Sequence, residues 1–82
     1  MMKEIKLSQK KVHEDIKREA KVLGLHPGTA EIIADKVTEK IVIWSQKRSA
    51  ITEDDLNQRL AKEIKKFNED LAYLFESRNK II

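Results

Sequence analysis

The residues of this chain that could perform acid–base or metal chemistry are few and dispersed. The two histidines, His13 and His26, lie thirteen residues apart and match no metal-ligand spacing such as His-Glu-x-x-His. We therefore expect a surface or helix-capping role for both. The acidic run Glu53, Asp54 and Asp55 is accounted for by the start of a helix, where the helix dipole favours carboxylates. The sequence thus offers neither a catalytic residue nor a metal ligand.

Other signatures of enzyme chemistry are also missing from the sequence. The chain has no cysteine, which excludes thiolate metal sites and cysteine nucleophiles. Its two glycines cannot supply a glycine-rich loop for phosphate binding. The serines stand near no histidine–acid pattern. We therefore expect a protein that is not an enzyme.

Length and composition limit the architecture. With 82 residues, 40% of them hydrophobic and 38% charged, the chain can form one domain over 1–82 with a single modest core. No apolar run is long enough to span a membrane, and residues 1–11 lack the apolar centre of a signal peptide. A cytoplasmic location is therefore expected. The formal net charge of +3 permits an anionic partner, but it is small for a nucleic-acid binder.

The last third of the chain carries the strongest helix signals. Thr52 is a good N-cap, and Asp55 three residues later completes a variant of the capping box. Apolar residues then recur at steps of three and four, which predicts an amphipathic helix. Asn68 is a poor helix-interior residue and a good N-cap. We therefore expect helices at about 52–67 and 69–79, which form either one rod or two segments broken at Asn68.

Two further helices are expected upstream, after a short extended arm at residues 1–7. Ser8 can cap a helix over 9–23, and Gly24 suits the residue that follows this helix. Another helix is expected over 29–47, with its start near Pro27 or Thr29. Together these elements predict an all-α fold, a small bundle of three to four helices. The residues expected to face its core are Val12, Ile16, Ala20, Leu23, Ala30, Ile33, Ala34, Val37, Ile41, Trp44, Leu56, Leu60, Ile64, Phe67, Leu71, Tyr73, Leu74 and Phe75.

The second helix is apolar on more than one side. Ile32, Val42 and Ile43 fall off its main apolar stripe. Exposed apolar patches commonly mark association sites. These three residues, together with the C-terminal isoleucines at 81–82, are therefore candidates for contact with a partner protein or with a second copy of the chain.

Several segments of the chain, taken together, resemble one known family. They are KLSQKKVHEDIKREAKVLGL, AEIIADKVTEKI, SAITEDDLNQRLAKEI and NEDLAYLFESR. These segments look like the ATP-cone, a regulatory module of many ribonucleotide reductases, of a repressor of their genes and of some kinases. The resemblance covers residues 7–78. Its more specific parts are the Ile-Thr pair at 51–52 and the Ala-Tyr pair at 72–73, which is followed by Arg78.

The resemblance implies binding of ATP or dATP. It assigns a phosphate contact to Lys11, at the start of the first helix, and it places Thr52, Glu53 and Asn57 near the nucleotide. ATP-cones begin with a β-hairpin whose Lys-Arg-Asp-Gly turn holds the phosphates, and this chain contains no such motif. Two forms therefore remain open. One is a degenerate module that kept the fold for protein contacts, and the other is a minimal module that still binds nucleotide weakly.

Two other interpretations also remain open. The segment KRSAITEDDL resembles the loop and third-helix start of the histone fold, which would make the chain a small helical DNA-binding domain. Its low charge argues against this, because DNA affinity depends on phosphate neutralisation. The other interpretation is a structural homo-oligomer. As partners, the sequence favours a protein or a second copy, then a nucleotide, then a nucleic acid, and it indicates no membrane contact.

Overall fold

The fold is an all-α bundle, as the sequence predicts. The computed structural model describes residues 5–77, and this range contains four helices. They are α1 (Gln9–Val22), α2 (Pro27–Gln46), α3 (Glu53–Ile64) and α4 (Glu69–Ser77). Within the described range, no helix combines the length and the apolar character that crossing a bilayer requires.

Helix α1 begins and ends on local signals. The Oγ of Ser8 accepts a hydrogen bond from the backbone N–H of Lys11 at 3.3 Å, which confirms the predicted N-cap. At the other end Gly24 has a φ of 77°, a left-handed conformation that glycine adopts without steric cost. The amides of Gly24 and Leu25 bond back to carbonyls in the last turn of α1, at 2.9 and 3.0 Å. Carbonyl groups in the last turn of α1 are thus hydrogen-bonded at the point where the chain changes direction.

Helix α2 starts at Pro27, the earlier of the two expected starts. The cause is His26, whose Nδ1 accepts a hydrogen bond from the N–H of Gly28 at 3.1 Å and so caps the helix. Pro27 then occupies the first turn, where its missing N–H and its fixed φ are tolerated. The capping role expected for a histidine is confirmed at this position.

The C-terminal stretch is two helices rather than one rod. The predicted capping box opens α3, with the Asp55 N–H bonded to Thr52 Oγ1 at 3.1 Å and the Thr52 N–H bonded to Asp55 Oδ2 at 3.3 Å. Helix α3 ends at Ile64, three residues before the predicted end. The Oδ1 of Asn68 then accepts from the N–H of Leu71 at 2.9 Å, which confirms Asn68 as the break. The last two residues predicted for the fourth helix lie outside the described range.

The core forms where the helices pack in pairs. Helix α1 packs mainly on α2 and α3 on α4, while contacts of α2 with α3 and of α1 with α4 join the two pairs. Three expected core residues, Trp44, Leu56 and Leu74, are partly buried against this core. The buried residues of the core are Val12, Ile16, Ala20, Ala30, Ile33, Ala34, Val37, Ile41, Leu60, Ala61, Ile64, Leu71, Ala72 and Phe75. Among residues 5–77, the buried hydrophobic residues outside the expected set are Ala61 and Ala72 in this cluster and Ile51 beside it.

Three residues expected in the core are exposed instead. Leu23 is 37% exposed because it is the C-cap of α1, where the chain leaves the helix. Phe67 is 48% exposed because α3 ends before it and Phe67 lies in the turn that follows. Tyr73 is 63% exposed because the buried residues of α4 occupy the other face of that helix.

The extended arm enters the described range at residues 5–7. The N–H of Ile5 donates a hydrogen bond to the carbonyl of Ile51 at 2.8 Å, so the arm lies beside the segment that leads into α3. Leu7 packs against the core. Residues 1–4 of the predicted arm lie outside the described range. Because the arm leads directly into α1, this contact brings the start of α1 next to the start of α3.

Candidate functional site

A cleft of about 490 Å³ lies between the arm, the first half of α1 and the start of α3. It is lined by three of the four residues that the resemblance assigns to a nucleotide, namely Lys11, Glu53 and Asn57. Lys11 comes from α1 and the other two come from α3. The N–H of Ile5 is bonded to the carbonyl of Ile51, which places the arm beside the segment that leads into α3.

Thr52, the fourth assigned residue, is not among the residues that line this cleft. Its side chain and its amide both bond to Asp55 in the capping box. Its place in the structure is therefore at the start of α3, the helix that carries Glu53 and Asn57. Thr52 positions the cleft wall through the cap.

The cleft carries both signs of charge. The Arg18 guanidinium donates a hydrogen bond to the Asp15 carboxylate, which neutralises that pair. Lys11 is exposed, and none of the ion pairs between residues 5–77 involves it. The charged residues of the cleft are three cations and three carboxylates, Lys6, Lys11, Arg18, Glu14, Asp15 and Glu53.

The start of α1 adds backbone donors to this cleft. The first amides of a helix have no acceptor within the helix, and Ser8 engages only that of Lys11. Helix α1 has no acidic residue in its first turn, whereas α3 and α4 both do. Acidic side chains in the first turn of α1 would have occupied the positive end of the dipole of that helix. The start of α1 is therefore suited to an anion from outside, such as a phosphate.

Helix α3 supplies a polar group at lower exposure. Asn57 is 7% exposed and lines the cleft. Its amide offers both a donor and an acceptor. Apolar side chains, Val12, Leu56 and Leu60, line the same cleft. A buried amide among apolar side chains, next to exposed charges, is typical of sites for small polar ligands.

A second groove, of about 790 Å³, lies between α1 and α2. At this junction the Nε2 of His13 and the Oδ1 of Asp35 are 2.6 Å apart, and the Nζ of Lys17 and the Oε2 of Glu31 are 2.9 Å apart. The pKa of Lys17 lies above its ordinary value because its ammonium hydrogen bonds to Glu31 and is attracted by that carboxylate. Sequence reasoning missed this cluster. The signal that could have found it is a pair of four-residue spacings, one on each helix, which meet when the helices pack antiparallel.

Arg48 links the end of α2 to the start of α3. Its guanidinium lies 5.2 Å from the centroid of the Trp44 ring, which is a cation–π contact. It also donates to Asp55 Oδ2 at 3.4 Å. Because Asp55 belongs to the capping box of α3, this link helps to fix the α3 wall of the α1–α3 cleft.

The candidate interface residues of α2 are exposed to different degrees. Ile32 is 59% exposed and Ile43 is 45% exposed, and they lie on nearly the same side of α2 because they are about three turns apart. Val42 is half-buried and lines the α1–α2 groove. The isoleucines at 81–82 and the Arg78 of the resemblance lie outside the described range.

Comparison with known proteins gives no match to a family model, to a curated protein or to a solved structure. Functional inference for this chain therefore rests on the geometry of its clefts and on the sequence resemblance. Of the two clefts, only the one between α1 and α3 contains residues that the sequence assigns to a ligand.

Proposed function

We propose that this chain is a non-catalytic regulatory module of the ATP-cone type that binds ATP or dATP in the cleft between α1 and α3. One observation carries the proposal. Lys11, Glu53 and Asn57 were assigned to a nucleotide by sequence resemblance alone, and all three line this cleft. Since they come from two helices, their convergence depends on the fold and not on their spacing in the sequence.

The phosphates bind at the start of α1. Lys11 supplies an ammonium group and the first turn supplies amides, and hydrogen bonds from such donors to a charged phosphate are the strong ones. Lys6 lines the same cleft from the arm. It contributes a second cation in a chain that lacks the Lys-Arg-Asp-Gly turn, and this compensates in part for the missing hairpin.

The nucleoside contacts α3. Asn57, which is 7% exposed and lines the cleft, is the polar residue of α3 that faces the nucleoside. The Glu53 carboxylate can accept a hydrogen bond from a sugar hydroxyl. ATP has one sugar hydroxyl more than dATP, so Glu53 is the candidate for telling the two nucleotides apart.

Nucleotide binding joins three elements of the fold. The cleft is formed by the arm, α1 and α3, and the arm is held to the segment before α3 by the 2.8 Å bond between Ile5 and Ile51. A ligand that contacts all three favours their folded arrangement by mass action. The position of the arm is therefore the feature that a partner protein can sense.

The test is a two-dimensional NMR titration of ¹⁵N-labelled full-length protein with ATP, dATP, tripolyphosphate and a short DNA duplex. We expect ATP or dATP to shift the arm, the first turn of α1 and residues 53–57. Tripolyphosphate should shift only the arm and the start of α1, because it lacks a nucleoside. Silence with all four ligands at millimolar concentration would overturn the proposal. A response to the duplex alone, lost as salt rises, would indicate DNA binding instead.

Self-association is a second candidate function, favoured by the exposure of Ile32 and Ile43 along one side of α2. Burying apolar surface stabilises an interface by roughly 25 cal/mol per Å². Neither isoleucine lines the α1–α3 cleft. A dimer formed through this side of α2 would therefore leave the nucleotide cleft open, and the two functions are compatible.

A further inference from the structure

Three potential metal ligands converge between α1 and α2, outside the α1–α3 cleft. The Nε2 of His13 lies 2.6 Å from Asp35 Oδ1 and 4.0 Å from Glu31 Oε1. One ligand atom from each of the three side chains lies within 4.8 Å of the others. We propose that this triad binds a transition-metal dication, with Zn²⁺ as the best-matched ion.

The ligand atoms have to move by up to about 1.5 Å to hold an ion, the largest change falling between Glu31 and Asp35, because the three atoms now lie within 4.8 Å of one another. Ligand atoms that coordinate Zn²⁺ tetrahedrally lie roughly 3.3 Å from one another. The distance from His13 Nε2 to Asp35 Oδ1 is 2.6 Å and has to increase by roughly 0.7 Å. The distance from His13 Nε2 to Glu31 Oε1 is 4.0 Å and has to decrease by roughly 0.7 Å. The side chains of His13, Glu31 and Asp35 are 27%, 47% and 61% exposed. They therefore have the freedom to make these rotations.

The donor set selects the class of ion. An imidazole nitrogen with two carboxylates suits a borderline cation such as Zn²⁺, whereas Mg²⁺ and Ca²⁺ prefer oxygen ligands. His13 is thus the residue that distinguishes this triad from a patch of surface acids. Three protein ligands also leave a fourth position of Zn²⁺ for water or for an external ligand.

Lys17 is a competitor built into the site. Its Nζ lies 2.9 Å from Glu31 Oε2, so its ammonium offsets one of the two carboxylates. With His13 neutral, the cluster of His13, Lys17, Glu31 and Asp35 keeps one net negative charge. This charge still attracts a dication, and removal of the Lys17 charge should strengthen that attraction.

A bound ion would join α1 to α2. His13 belongs to α1, while Glu31 and Asp35 lie one turn apart on α2. Binding to the folded state alone stabilises that state by mass action. His13 and Asp35 also line the α1–α2 groove, which gives the ion and a fourth ligand a route to the site.

The test is a titration of untagged full-length protein with Zn²⁺, followed by calorimetry and by NMR of the histidine ring nitrogens. We expect one ion per chain and a shift of the His13 ring. The His26 ring should not shift, because its Nδ1 is engaged by the N–H of Gly28. Mg²⁺ at the same concentration should leave both rings unchanged.

Variants separate ligation from general effects of charge. Asp35→Asn and Glu31→Gln keep the side-chain shape. Each should weaken Zn²⁺ binding by roughly tenfold or more, because loss of even a residue that only hydrogen bonds to a metal ligand lowers the metal affinity by about this factor. Lys17→Met keeps the apolar stem and should strengthen binding. Glu76→Gln, which removes a carboxylate of α4 outside both clefts, and His26→Asn, which keeps a capping side chain, should leave the affinity unchanged.

The proposal is overturned by either of two results. One is the absence of a His13 shift at millimolar Zn²⁺. The other is a change of affinity in the same direction for Lys17→Met and Asp35→Asn, since ligation requires opposite directions. Far-UV circular dichroism of each variant establishes that it is folded, so a loss of affinity reports on the site.

Discussion

Lys10 and Lys11 are adjacent in the sequence, yet they line different clefts of the folded protein. Lys11 lines the α1–α3 cleft, and Lys10 lines the α1–α2 groove. Successive residues of a helix point about 100° apart around its axis, which is enough to place them on either side of α1. The same lysine-to-alanine change can therefore be made in both clefts, with the same loss of charge.

Lys11→Ala is expected to weaken ATP binding by roughly 10- to 100-fold, because a hydrogen bond to a charged group contributes about 1.5–3 kcal/mol. Lys10→Ala should leave the affinity nearly unchanged. The measurement is the rise in melting temperature with ATP for each variant. Equal losses in the two variants would mean that ATP responds to the overall charge of the protein and not to the α1–α3 cleft.

The two phenylalanines give a matched pair for the packing of the core. Phe75 is fully buried, whereas Phe67 is 48% exposed. Phe75→Ala should lower the free energy of unfolding by about 3–5 kcal/mol, and Phe67→Ala should lower it by no more than about 0.5 kcal/mol. Urea unfolding measures both, with Phe75→Leu as a variant that retains the fold. Similar losses at the two positions would contradict the exposure of Phe67.

Thr52→Ala tests the cap that starts α3. Loss of the bond between Thr52 Oγ1 and the Asp55 N–H should cost about 0.5–2 kcal/mol of unfolding free energy, and Thr52→Ser should restore most of it. Because Thr52 acts on the α1–α3 cleft only through the start of α3 and does not line it, the ATP affinity of the folded variant should fall much less than that of Lys11→Ala. A lower ATP affinity with unchanged stability would instead give Thr52 a direct contact with the nucleotide.

Ile43→Glu tests self-association through α2. Analytical ultracentrifugation of the unmodified chain is expected to give a mass above that of the monomer, and Ile43→Glu should lower it, because a buried charge without a partner opposes the contact. Val22→Glu is the matched control, since Val22 is 71% exposed on α1. A monomer at every concentration would argue against association.

Local sequence signals account for where most of the helices begin and for most of the residues that they bury. Ser8, Thr52 and Asn68 each cap a helix with an acceptor for an amide three residues later, so these signals are complete within one turn. His26 is the exception. Its ring accepts from an amide only two residues on, and the start of α2 is therefore the earlier of the two expected positions.

Which distant residues meet depends on how the helices pack against one another. The contact of His13 with Asp35 spans 22 residues, and the cleft that unites Lys11 with Asn57 depends on the bond between Ile5 and Ile51. The periodicity of a single helix fixes the direction of its side chains around its own axis, but the neighbour that each face receives depends on how the helices pack. The resemblance named residues of the α1–α3 cleft because it carried over positions from a family whose members are folded. No such resemblance covered the His13–Glu31–Asp35 triad, which follows only from the packing of α1 against α2.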